Sequence, residues 1–343
     1  MAIDIINPLN YAGWNELLET NPHSSFFHTA NWAQVLAESY GFTPLYFCRI
    51  EHERMVSLLP MMEVDSWLTG RRGVSLPFTD AVPVIAGTTE AVDELFELSA
   101  AHGRQRQWKY FEFRPGSDLF TGEKQHAVFV NHQLPLDNTE EQLFKQFRES
   151  TRRNIKIAYK NRIEVIFSAS FRAVKEFYRL NCSARKDHGL PPQPFRFFAN
   201  LQKHALKKGL GMIANGISKG KVISSNIYLF HKNRAFYKFG ANDRKHMNLR
   251  SSYLAMWEAI RYFLSKGFDL LDFGRTDADD AGLLQFKRGW GTDEIPVNYY
   301  RYDLRREAFV GSAGGMKTSY SICKYMPLPA LRLVGWGLYR HFG

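Results

Sequence analysis

In the opening forty residues apolar positions recur at helical spacing, around Leu9–Thr20 and again around Thr29–Tyr40. Two strand-like runs follow, Pro44–Ile50 and Met55–Val64, joined by the polar turn Glu51-His52-Glu53-Arg54. The stretch from Gly70 to Gly87, rich in Gly and Pro, reads as loop with short strands. A helix from about Thr89 is expected to stop at Gly103, a residue suited to the position just past a helix end. Strand Trp108–Phe113 then ends at Pro115-Gly116.

The second half repeats this order. Thr139 and Gln142 have capping-box spacing and open one long helix predicted to reach about Lys160. Strand Glu164–Ser168, a helix near Ala173–Arg185 and strands Gly211–Ile217, Lys221–Phe230 and Arg234–Ala241 come next. A helix over Ser251–Lys266 ends at Gly267, and strand Phe268–Phe273 follows directly. Both halves thus close on a helix, a glycine and a strand. Helices alternating with strands in each half predict an α/β (α+β) chain of two duplicated domains, each a mixed sheet flanked by helices.

Composition narrows the class. The chain has 343 residues, 45% hydrophobic and 23% charged, which suits folded domains and argues against disorder. Its 27 Phe, 16 Tyr and 7 Trp supply ample core. Lysine and arginine number 45 against 34 acids, and the surplus of +11 favours anionic partners. Cys48, Cys182 and Cys323 are few, odd in number and far apart, so neither a disulfide framework nor a metal site is expected. The start, with Asp4 and Pro8, lacks the basic and apolar regions of a signal peptide, and no run is long enough to span a membrane. The expected location is cytoplasmic.

Candidate chemistry lies mostly in the second half. Arg148, Arg152, Lys156 and Lys160 recur every four residues on one helical face, with Arg153 beside them, a pattern that fits either a solvated basic face or one that meets a phosphate or nucleic acid. The loop Arg185–Pro194 holds three prolines and His188, a side chain suited to moving protons near neutral pH. Strand Phe268–Phe273 delivers Asp272 and Arg275 to a sheet edge. A short helix then carries Phe286, Lys287 and Arg288, cations able to meet a phosphate or an oxyanion. Tyr237, on the strand before, joins the substrate-binding candidates. Pro327–Gly343 has Leu331, Val334, Leu338 and Phe342 near one face, which fits docking on the first domain or peripheral membrane contact.

Asp272-Phe273-Gly274-Arg275, a short gap and Phe286-Lys287-Arg288-Gly289-Trp290-Gly291 resemble the signature of FemABX-like proteins. Phe26–Thr29 with Trp32, Ser66-Trp67 and Ser75–Phe78 resemble the branch associated with exosortase and exopolysaccharide loci. The resemblance covers nearly the whole chain. It implies tandem acyl-CoA N-acyltransferase (GNAT)-like domains, over 1–136 completed by 298–343, and over 137–297. It also implies transfer of an acyl or aminoacyl group to an amine of a nucleotide- or lipid-linked envelope precursor, with aminoacyl-tRNA or acyl-CoA as donor. Lys287 matches the lysine of the family's Phe-Lys motif and is expected at the reaction centre, in a cleft, with Asp272 and His188 as further catalytic candidates. Arg152, Arg153, Lys156, Arg250, Arg275, Arg288 and Tyr237 are expected to bind substrate.

One departure bears on the donor. Where acetyltransferases place a glycine-rich pyrophosphate turn, this chain reads Arg244–Ser251 without glycine, leaving Asn248, Arg250 and the helix amides to hold a phosphate. Two alternatives stay open: an acetyl-CoA-dependent enzyme acting on an amino sugar, and a non-catalytic protein binding an anionic precursor or nucleic acid.

Overall fold

The computed structural model describes residues 3–116, 118–311 and 321–342. In chain order they form β1 (Asp4–Ile6), α1 (Trp14–Glu19), α2 (Ala30–Tyr40), β2 (Thr43–Glu51), β3 (Arg54–Val64), β4 (Arg72–Val74), α3 (Thr89–Gln105), β5 (Tyr110–Phe113), β6 (Ala127–Pro135), α4 (Glu140–Gln146), α5 (Glu149–Lys160) and β7 (Glu164–Ser168). There follow α6 (Phe171–Asp187), α7 (Phe195–His204), β8 (Gly211–Ser218), β9 (Lys221–His231), β10 (Arg234–Asn242), α8 (Ser251–Ser265), β11 (Leu270–Asp277), α9 (Ala281–Arg288), β12 (Asp293–Asp303), β13 (Ala308–Phe309) and α10 (Leu328–Leu338). They fall into two compact units: 1–129 with 296–317 and 337–343, and 130–295 with 318–336.

In the first unit the strand order is β1-β2-β3-β4-β5-β12, with β13 on β12. Strands β1 to β4 pair antiparallel, whereas β4 and β5 run parallel. A parallel neighbour needs a crossover, and α3 is that crossover. Its core gathers Phe47, Leu95, Trp108, Phe111, Phe113 and Tyr300, with Phe96 packed against them. One buried polar cluster stands beside it. Burial pushes the Glu112 carboxyl up, but the guanidinium groups of Arg114 and Arg301 outweigh it and hold it at about 2. Arg114 donates to Glu112 Oε1 at 2.8 Å and Arg301 to Oε2 at 2.7 Å.

The second unit repeats the plan. Its order is β6-β11-β10-β9-β8-β7, antiparallel from β7 to β10 and then parallel between β10 and β11, with α8 as the crossover. A core of Phe147, Ile155, Tyr228, Trp257, Phe263, Phe273 and Trp290 fills the space between α4, α5, α8 and the sheet. The repeat of an antiparallel meander closed by one parallel pair is the duplication that the order of elements predicts.

Three local expectations change. The single long helix is two, because Phe147 turns extended (ψ 143°) and drives its ring, 1% exposed, into the core; α4 does carry the Thr139–Gln142 capping box. Helix α3 passes through Gly103 instead of stopping there. A Cβ at Gly103 would lie 2.7 Å from Leu304 and 2.9 Å from Trp108, so glycine serves close packing rather than termination. Residues 318–336, expected with the first domain, cluster with the second unit: Leu331 is buried, Arg332 lies over the Tyr178 ring, and Gly335 sits against the Pro192 carbonyl. Residues 337–343 return to the first unit, where Arg72 and Thr69 donate to the His341 carbonyl at 2.8 and 3.0 Å.

Candidate functional site

Strands β10 and β11 pair only at Arg234–Leu270, Ala235–Leu271 and Phe236–Asp272, although β10 runs on to Asn242 and β11 to Asp277. Between Tyr237 and Phe239 the register of β10 against β9 slips, and such a bulge bends the strand. The parallel pair therefore opens. Backbone groups past the opening lose their ladder partners, and buried ones must find others.

Two predicted site residues supply them. Lys287, on α9 and 3% exposed, donates from Nζ to the Gly274 carbonyl at 2.6 Å and to that of Arg275 at 3.0 Å. Asp272 accepts from the Gly274 amide at 2.7 Å, and its other oxygen accepts from Asn131 at 2.9 Å and Gln133 at 3.1 Å. Gly274 itself has φ 72°, a conformation glycine adopts without strain. Lys287 and Asp272 thus fix the shape of the opened strand. The Lys287 ammonium meets backbone carbonyls that the open strand leaves to satisfy.

Beside the opening lies a cavity of about 380 Å³, lined by His188, Asn226, Tyr237, Gly240, Arg250 and Phe286, with Ser251–Tyr253 of α8 at one end. Three sequence candidates meet there: His188, Tyr237 and Arg250. His188 ends α6 and is exposed. Burial raises the Tyr237 phenol above its ordinary range. Its hydroxyl fits because residue 240 is glycine; a Cβ there would stand 1.8 Å from it. Arg250 caps α8 at φ 59° with no side-chain cap bond, taking the left-handed conformation that glycine usually provides at such a turn. The positive end of α8 and the guanidinium suit an anion.

The other basic candidates lie elsewhere. Arg288 is exposed and paired with Glu294, which removes it as a ready phosphate contact. On α5, Ile155 and Ala158 face the core, Arg153 and Lys156 are exposed, and Arg152 is half-buried with its Nε lacking a partner. Arg275 is half-buried on β11.

One group went unnoticed in the sequence. His132, on β6, is fully buried, with Nδ1 3.2 Å from Thr292 Oγ1; that hydroxyl in turn donates to the Lys287 carbonyl. Burial, and then the positive charge of Lys287, lower its pKa to about 4, so its ring is neutral at pH 7. The signal was three successive polar residues, Asn131-His132-Gln133, inside a strand, where one face alone would ordinarily be polar.

Comparison with known proteins fits this geometry. The family model described as "Acetyltransferase (GNAT) domain" matches residues 145–288. A lipid II:glycine glycyltransferase of Staphylococcus epidermidis is 29% identical over 93 residues, covering 25% of this chain and 22% of that protein. Aminoacyltransferase FemA of the same species is 26% identical over 98 residues, 24% of each chain. The chain thus matches about a quarter of the length of these curated relatives. Among solved structures, FemX superposes with TM-score 0.70 at 12% identity, over 87% of this chain and 97% of that one. A tandem GNAT protein from the clavulanic acid biosynthesis pathway gives 0.54 at 9% identity, over 88% and 98%.

An antiparallel meander closed by a parallel pair through a crossover helix occurs twice, and in the second unit that pair splays where α8 begins, as in the GNAT fold. The chain is a tandem GNAT-fold protein. Its relatives include proteins named lipid II:glycine glycyltransferase and aminoacyltransferase FemA, and FemX shares its fold.

Proposed function

We propose that the chain is an acyltransferase that moves an acyl or aminoacyl group onto an amine of a cell-envelope precursor. The observation that carries this reading is the cavity at the β10–β11 opening, which joins an anion-binding helix start to an exposed imidazole. The relatives' names, glycyltransferase and aminoacyltransferase, support the same reaction type.

In this reading Arg250 and the first turn of α8 hold a phosphate of the donor, and Tyr237 bounds the slot for its acyl end. The acceptor amine attacks the donor's carbonyl carbon, the C–N bond forms and the bond to the donor's ester oxygen or thioester sulfur breaks. The amine's proton passes to a base, for which His188 at the cavity rim is the candidate, and from it to the leaving oxygen or sulfur, so that the donor departs as a neutral alcohol or thiol. Lys287 and Asp272 keep the strand open as positioning residues. The catalytic half corresponds to 137–297, and the acceptor is a nucleotide- or lipid-linked precursor.

The deciding experiment incubates the protein with nucleotide- and lipid-linked precursors and either an aminoacyl-tRNA pool or a panel of acyl-CoAs, and weighs the precursor by mass spectrometry. A mass increase with one donor class identifies that donor. No mass increase with either class removes the reading.

A further inference from the structure

Helix α10 turns one side inward, with Leu331 and Gly335 buried. The other side is no ordinary solvent face. Arg332, Leu333, Trp336 and Arg340 follow at spacings that place them on one stripe, and Leu333 and Trp336 remain 67% and 63% exposed. Tyr325, just before the helix, is 85% exposed.

Charge selects the occupant. After Glu307 the sequence holds no acid, whereas Lys317, Lys324, Arg332 and Arg340 are all basic. Tryptophan and leucine interleaved with arginine on a helix too short to cross a bilayer match the chemistry of an interfacial element, whose rings enter the headgroup layer while the cations meet lipid phosphates. We propose that the outward stripe of α10, with the exposed Tyr325 just before it, docks on an anionic lipid surface. Leu331 is spent on the protein, and Leu333 and Trp336 are the residues that enter lipid.

The test uses the full chain and vesicles of phosphatidylcholine with about three-tenths phosphatidylglycerol, a fraction giving a strongly negative surface. Co-sedimentation with these vesicles, little with pure phosphatidylcholine, and a fall in binding with added salt are expected. L333S/W336S should weaken binding about tenfold or more, as expected for losing two inserted apolar side chains. K324Q/R340Q should lessen only the anionic-lipid component. Circular dichroism and a melting curve check that both variants fold. Equal sedimentation of the wild type and L333S/W336S overturns the proposal, as does absence of binding to either vesicle. So does a dimer of the wild type that L333S/W336S dissolves while vesicle binding stays unchanged. Because no substrate is present, the result stands independently of the transferase reading.

Discussion

The Lys287 ammonium donates to the Gly274 carbonyl at 2.6 Å, thirteen residues back along the chain and on the far side of an opened strand pair. A side chain there does the work of the missing strand. Replacing Lys287 by Met should leave two carbonyls short of this partner and cost about 2–6 kcal/mol, at about 1–3 kcal/mol for each buried group left unsatisfied. Urea unfolding measures it. A Lys287 acting on substrate charge alone would lower transfer and leave the unfolding midpoint in place.

Arg250 separates stability from binding. Its φ of 59° is a left-handed conformation that costs a non-glycine residue roughly 1 kcal/mol. Arg250→Gly should therefore melt no lower than the wild type, while affinity for a phosphate-bearing donor falls, as read by calorimetry. Unchanged affinity would remove Arg250 from the donor site.

The Glu112 cluster sets an acid limit in the first unit. Its folded pKa of about 2 lies below the ordinary glutamate value of about 4.3, so the unfolded chain binds the proton more readily. The stabilisation is complete above the unfolded value and disappears as pH falls toward about 2. Glu112→Gln should flatten that part of the stability–pH curve. At pH 7 it should cost about 3–5 kcal/mol, because Arg114 and Arg301 lose their buried counter-charge.

Gly335→Ala sets propensity against packing. Alanine gains about 1 kcal/mol as a helix former. Its Cβ, however, would lie 2.0 Å from the Pro192 carbonyl oxygen, a backbone atom with little room to yield. Packing wins, so the variant should be less stable and cleaved faster by protease between 318 and 336. Equal cleavage of variant and wild type would mean α10 does not dock through this face.

Much of the architecture is written in local pattern. The Thr139–Gln142 cap, the Glu51–Arg54 turn, the run of strands from 211 to 242 and the left-handed Gly267 follow from short-range chemistry that any stretch of chain expresses by itself. The same holds for the basic surplus and for the Asp272 and Lys287 motifs that carry the resemblance to FemABX-like proteins. What the motifs do was decided only by folding. No spacing rule says that Lys287 turns inward to carbonyls of β11, that Arg288 is taken by Glu294, or that His188 and Arg250, sixty residues apart, share a cavity. Nor does a helical stripe say which of its two apolar sides meets protein. Sequence fixes what each side chain can bond to; burial and the loss of ladder partners at an opened sheet decide which bonds it must make.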